Sequence, residues 1–162
     1  MACRAVLFAI DDATTARLLA ARTDAAVLEI IWALDRENGA LQEPIDKSWD
    51  AMHRALSDGS LASDGGTFPL NRAILGGKQL HRGDEYIISL VTKDEVPAVA
   101  QALASIDNDE MRRRYREVVP EDYAAEYGDE DREYTVEYFR SVADLYARAA
   151  SAGRAVLFTV DQ

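Results

Sequence analysis

The chain has 162 residues, 48% of them hydrophobic, enough to bury one core without disulfides or metals to staple it. Eighteen Lys and Arg stand against 29 Asp and Glu, and the resulting net charge of −11 repels nucleic-acid phosphates and anionic lipid at long range. A lone cysteine, Cys3, excludes an intramolecular disulfide and suits a reducing compartment, and no apolar run approaches the roughly 20 residues that span a bilayer.

The chain opens on "RAVLFAIDD" from Arg4 and closes on "RAVLFTVDQ" from Arg154. Both phrases are continuously apolar rather than alternating, the pattern of interior strands. The first is too short for the apolar region of a signal peptide, which predicts a cytoplasmic protein. No other segment recurs, so the likeness is shared strand chemistry and not an internal repeat. The expectation is two strands of one sheet, shielded by helices on at least one face, in a single domain over residues 1–162.

After the first strand, Asp12 or Thr14 caps a helix through "ATTARLLAAR", with Leu18 and Leu19 facing inward. A second helix starts at Thr23 or Asp24, carries Val27, Ile30, Ile31 and Leu34 at helical spacing, and stops at Gly39. Pro44 precedes a third, "IDKSWDAMHRALSDG", whose apolar stripe is Ile45, Trp49, Met52 and Leu56. The stretch "SDGSLASDGGTFP" is a loop by composition, a short helix "LNRAIL" follows Pro69, and "GGKQLHRGD" is a turn-rich connection. "EYIISLV" reads as a strand. Thr92 and Glu95 form a capping box for "KDEVPAVAQALASI", with Pro97 in the first turn, where a missing amide costs little. "DNDEMRRRYREV" is a further helix. The last one, "REYTVEYFRSVADLYARAASAG", gathers Tyr134, Tyr138, Val142, Leu145 and Ala149 on one face and ends at Gly153.

Beside the apolar stripe of the third helix runs a polar one: Asp46, Asp50, His53 and Ser57. An aspartate three residues from a histidine can raise the imidazole pKa and orient a general base. A metal site needs more ligands, and the other histidine, His81, lies in a loop without a ligand pattern. A solvated or packing-edge histidine is the commoner outcome. "GGK" at Gly76–Lys78 fails as a phosphate loop, because Arg72 occupies the first glycine position and Gln79 stands where Ser or Thr holds magnesium. "DNDEM" and "DEDREY" fail as calcium loops, with Arg112 and Tyr134 at the sixth position. No metal or cofactor is expected, and no complete catalytic constellation is present.

"RRRYR" at Arg112–Arg116 is flanked by Asp107, Asp109, Glu110 and Glu117, which predicts a salt-bridged helix face rather than a nucleic-acid contact. From Glu121 to Glu133 seven acids face one cation, Arg132, and Tyr123 and Tyr127 are interleaved. An acidic rim steers a basic partner, and tyrosine is enriched at interface hot spots. Tyrosines on the last helix are more simply core residues with a wet hydroxyl.

The segments "IDKSWDAMHRAL", "FPLNRAILGGKQL", "LVTKDEVPAVAQAL", "EMRRRY" and "VEYFRSVADLYARAASAGRAVLFTV" follow one another as they do in the YfbM-like family, domain of unknown function 1877, which the sequence resembles over most of its length. The resemblance implies an α+β fold of bacterial type. The fold expected is therefore α+β, a mixed sheet including the N- and C-terminal strands packed against several helices. No activity, substrate or cofactor comes with the resemblance. Asp46, Lys47, Trp49 and His53 match the family's Asp-Lys-x-Trp-x-x-x-His helix, and Gly76 and Gly77 its glycine pair.

With Asp50 and Tyr127, these are the candidate ligand or partner residues. The expected function is a binding module for a basic protein partner, for example a neutralised toxin, with neither nucleic acid nor membrane as target. The alternative is an enzyme or small-molecule binder with a pocket near Trp49, His53 and Gly76–Gly77, which requires those residues to meet on one concave surface.

Overall fold

A computed structural model describes residues 3–37, 41–121, 123, 124 and 126–162. In chain order the elements are β1 (Ala5–Ile10), α1 (Asp12–Ala20), α2 (Asp24–Arg36), β2 (Leu41–Asp46), α3 (Trp49–Leu56), a 3₁₀ turn (Leu70–Arg72), β3 (Lys78–Gln79), β4 (Tyr86–Val91), α4 (Val96–Ala104), α5 (Asn108–Val118), α6 (Asp129–Ala152) and β5 (Ala155–Asp161). The fold is α+β. Its five strands run in the order β2-β1-β5-β4-β3. All the pairings are antiparallel, so the sheet is not mixed as expected.

The near-identical phrases at the two ends of the chain lie side by side, with Ala5 opposite Val160 and Ile10 opposite Ala155. Their lack of alternation follows from helices on both faces. Leu7, Val156, Phe158 and Val160 point into a core shared with α3, α4, α5 and α6. Phe8, Ile10 and Leu157 point the other way, onto Leu18 of α1 and Val27, Ile30, Ile31 and Leu34 of α2. Because side chains alternate across a strand, burying both faces demands an apolar residue at nearly every position.

Asp11, rather than Asp12 or Thr14, caps α1, its carboxylate accepting from Thr14 N–H at 2.8 Å. Thr23 caps α2. The stop assigned to Gly39 falls outside the described residues; α2 itself ends at Arg36. Glu95 reaches back to Thr92, accepting from its amide and its hydroxyl at 3.1 Å, which supplies one half of the expected capping box. The last helix begins three residues before the expected Arg132 and ends on Gly153, whose φ of +64° closes it in the left-handed conformation.

The main correction concerns residues 41–46. The reading from Pro44 onward begins a helix, yet the chain is still in β2, with Pro44 opposite Val6. An edge strand tolerates proline because one row of its amides has no partner to serve. Asp46 ends this strand at φ +47°, and α3 starts only at Trp49. Asp46 therefore does not share a helical face with Asp50 and His53, and Ser57 lies just past the helix end. The expected "LNRAIL" helix shortens to a 3₁₀ turn, and the turn-rich connection after it contains β3.

Candidate functional site

On α3, Trp49, Ala51, Met52, His53, Ala55 and Leu56 are all buried. Trp49 is 5% exposed; its indole N–H donates to Cys3 O at 3.0 Å, and its ring lies 6.0 Å from that of Phe158. His53 is 1% exposed, with Nε2 3.0 Å from Ala62 O. A carbonyl only accepts, so Nε2 carries the proton and pins the 57–66 loop to the helix. Burial, the largest influence, holds the imidazole below its ordinary pKa of 6.5. Asp50 does not orient this ring. Its Oδ1 accepts from Arg54 Nε at 2.6 Å, and Arg54 also donates to Gly59 O and lies 5.2 Å from the centre of the Tyr123 ring. The aspartate–histidine dyad suggested by spacing is not formed; the aspartate serves an arginine that ties down the same loop.

Gly76 and Gly77 answer to backbone crowding. A β-carbon on Gly76 would run into the Asn71 carbonyl, and one on Gly77 would lie 2.6 Å from both Leu90 O and Ser89 Oγ. Arg72 donates to Gly76 O at 2.5 Å and pairs with Glu95 at 3.3 Å. The glycines do line a shallow groove of about 330 Å³ with Ser63, Asp64, Arg72, Lys78 and Glu95. Neither Trp49 nor His53 lines it, so the structure does not gather that set on one surface.

A different subset of the candidates comes together where β2 turns into α3 against the start of α6. Tyr134 of α6 donates to Asp46 Oδ2 at 2.8 Å and accepts from the Lys47 amide at 3.3 Å. Burial, then the bond to Asp46, pushes the phenol up to about 12. Its ring meets Tyr138 edge-on at 5.0 Å. Above this contact Lys47, Tyr127, Glu130, Asp131 and Tyr134 line a groove of about 370 Å³, and Tyr127 is 57% exposed. Asp131 accepts from the Tyr115 hydroxyl at 2.5 Å, while Asp129 and Glu133 are ion-paired with Arg132. Among the described residues, Glu126 and Glu130 lie within ion-pair distance of no cation.

Tyr134 is not among the sequence candidates, whereas Glu130 and Asp131 stand there as part of the acidic stretch Glu121–Glu133. Tyr134 reads as a core tyrosine, and the only signal that sets it apart is its helical step of three and four from Asp131 and Glu130. The arginine run on α5 behaves as expected: Arg112, Arg113 and Arg114 pair with Asp109, Glu133, Glu110 and Glu117. Glu110, between Arg113 and Arg114, is held down to about 2 by the Arg113 hydrogen bond above all. Among the described residues, no three His, Cys, Asp or Glu side chains are grouped to hold a metal. No helix there is long and apolar enough to cross a membrane.

Comparison with known proteins gives three findings. The family model for a domain of unknown function, DUF1877, matches residues 1–159. Protein YfbM of Escherichia coli (strain K12) is 32% identical over 81 residues, a stretch that covers 50% of this chain and 48% of that relative's length. The crystal structure of YfbM from Escherichia coli, described as a protein of unknown function, superposes with a TM-score of 0.66 at 22% identity. That superposition covers 97% of this chain and 99% of the other, and it establishes the shared fold alone. With the family model matching nearly its whole length, the chain belongs to the DUF1877 family.

Proposed function

We propose that this protein is a binding module for a basic protein partner, engaged at the groove between Lys47 and the start of α6, in a reducing cytoplasmic setting. The observation that carries the reading is Tyr127, more than half exposed, with Glu126 and Glu130 nearby in sequence, two carboxylates that among the described residues lie within ion-pair distance of no cation. A guanidinium or ammonium group of the partner stacks on the Tyr127 face while Glu126 and Glu130 supply its counter-charge. Exposed tyrosine offers large contact area at little entropic cost, and the unpaired acids draw in positively charged surfaces before contact. The overall charge of −11 acts in the same direction.

The test places a photo-crosslinking phenylalanine analogue at Tyr127 and compares that protein with one also carrying Glu126→Lys and Glu130→Lys. These acids are chosen because Asp129 and Asp131 serve Arg132 and Tyr115, so reversing them would disturb the fold. The reading requires a crosslinked partner of basic isoelectric point that the reversed protein no longer captures. Capture of acidic or neutral proteins, or capture indifferent to the reversal, removes it.

A further inference from the structure

At the far side of the sheet, where the α1–α2 turn meets β3, a pocket of about 160 Å³ is lined by Arg22, Lys78 and Arg82 together with Leu18, Leu19, Val27 and Leu80. In a chain with 29 acids and 18 bases, three cations around one concavity run against the prevailing charge. Among the described residues, none of the three lies within ion-pair distance of a carboxylate. The one carboxylate on the lining, Asp24, is already engaged: it accepts from the Arg82 and Gly83 amides at 3.1 and 3.0 Å, and His81 Nε2 stands 3.8 Å away. Those bonds fix the 82–83 turn against α2 and so hold Arg82 at the rim. The wall opposite is aliphatic, and Leu19 is half exposed.

We infer that this pocket binds a small amphiphilic oxyanion, its phosphate or carboxylate head held by Arg22, Lys78 and Arg82 and its short apolar body lying on Leu18, Leu19, Val27 and Leu80. An excess of positive charge in a concavity, here three cations against the one carboxylate of Asp24, is the recognition chemistry of anions, and guanidinium groups match planar or tetrahedral oxygens with paired donors. The aliphatic wall adds area that a bare inorganic ion cannot use. This site lies outside the groove assigned to the basic partner and does not depend on it.

The probes are inorganic phosphate, butyl phosphate and butyrate, titrated into the full chain while the methyl resonances of Leu18, Leu19, Val27 and Leu80 are followed by NMR. Saturable shifts with butyl phosphate or butyrate, each tighter than inorganic phosphate, are expected, and the two arms separate a phosphate head from a carboxylate head. Arg22→Gln, Lys78→Gln and Arg82→Gln should each weaken binding about tenfold, the scale of one charge-assisted contact. Arg116→Gln, the same charge change on α5, should leave it unaltered. Unsaturable shifts, equal affinity for inorganic phosphate, or equal weakening by Arg116→Gln overturns the assignment. All four substitutions are at exposed positions, and a thermal melt of each variant separates lost binding from lost fold.

Discussion

The buried face of α3 and the groove at the start of α6 both hold residues that stand out in the sequence, and they use them in opposite ways. Trp49 and His53 have every polar hydrogen directed at the chain's own backbone, at Cys3 O and Ala62 O. Tyr127 and Glu130 instead line a groove open to solvent, and Tyr127 is more than half exposed. A residue whose hydrogen bonds are consumed internally in a buried setting is committed to holding the fold, whatever chemistry its type suggests. In this chain α3 is thus a structural anchor.

Four measurements sharpen or break that contrast. Trp49→Ala should lower the unfolding free energy by about 3–5 kcal/mol in urea titration, the range for emptying a buried indole site. Gly77→Ala should cost about 1–3 kcal/mol by the same measurement, since its β-carbon meets a backbone carbonyl that cannot yield. His53 should appear in the pH dependence of stability. Its folded pKa lies below the unfolded 6.5, so its contribution is complete above 6.5 and lost as pH falls through and beneath that value. Glu110, whose folded value is about 2 against 4.5, yields its share only between 4.5 and 2, so urea midpoints above pH 5 isolate the histidine. His53→Gln, which keeps a donor for Ala62 without titrating, should flatten that slope. Tyr127→Ala and Glu130→Lys should change stability by less than about 0.5 kcal/mol. A large loss at Tyr127, or none at Trp49, would erase the distinction between anchor and surface.

The central strands are legible because burial on both faces leaves a continuous apolar signature, and α6 because its stripe persists over many turns. Strand β2 is hidden. It sits at an edge with Ile45 its one fully buried residue, so Gln42, Glu43 and Pro44 carry no alternation to detect. The groove is hidden for a different reason: Lys47 and Tyr127 stand out separately, but the contact that joins them runs through Tyr134 and Asp46, residues 88 positions apart. Spacing along a helix cannot reveal a meeting made by the sheet. The Asp50–His53 spacing, conversely, suggests a pair that Arg54 takes apart, because it offers Asp50 a full charge where a buried neutral imidazole offers none.

The strand order has a consequence for how the molecule is made. β5 is synthesised after the other four strands, yet its place is in the middle, between β1 and β4. Until it arrives, the chain can assemble only two fragments, β2 on β1 and β3 on β4, each with a hydrophobic edge open to other chains. β5 is therefore the zip of the sheet. Nascent chains halted before Ala155 should be the form most in need of a chaperone.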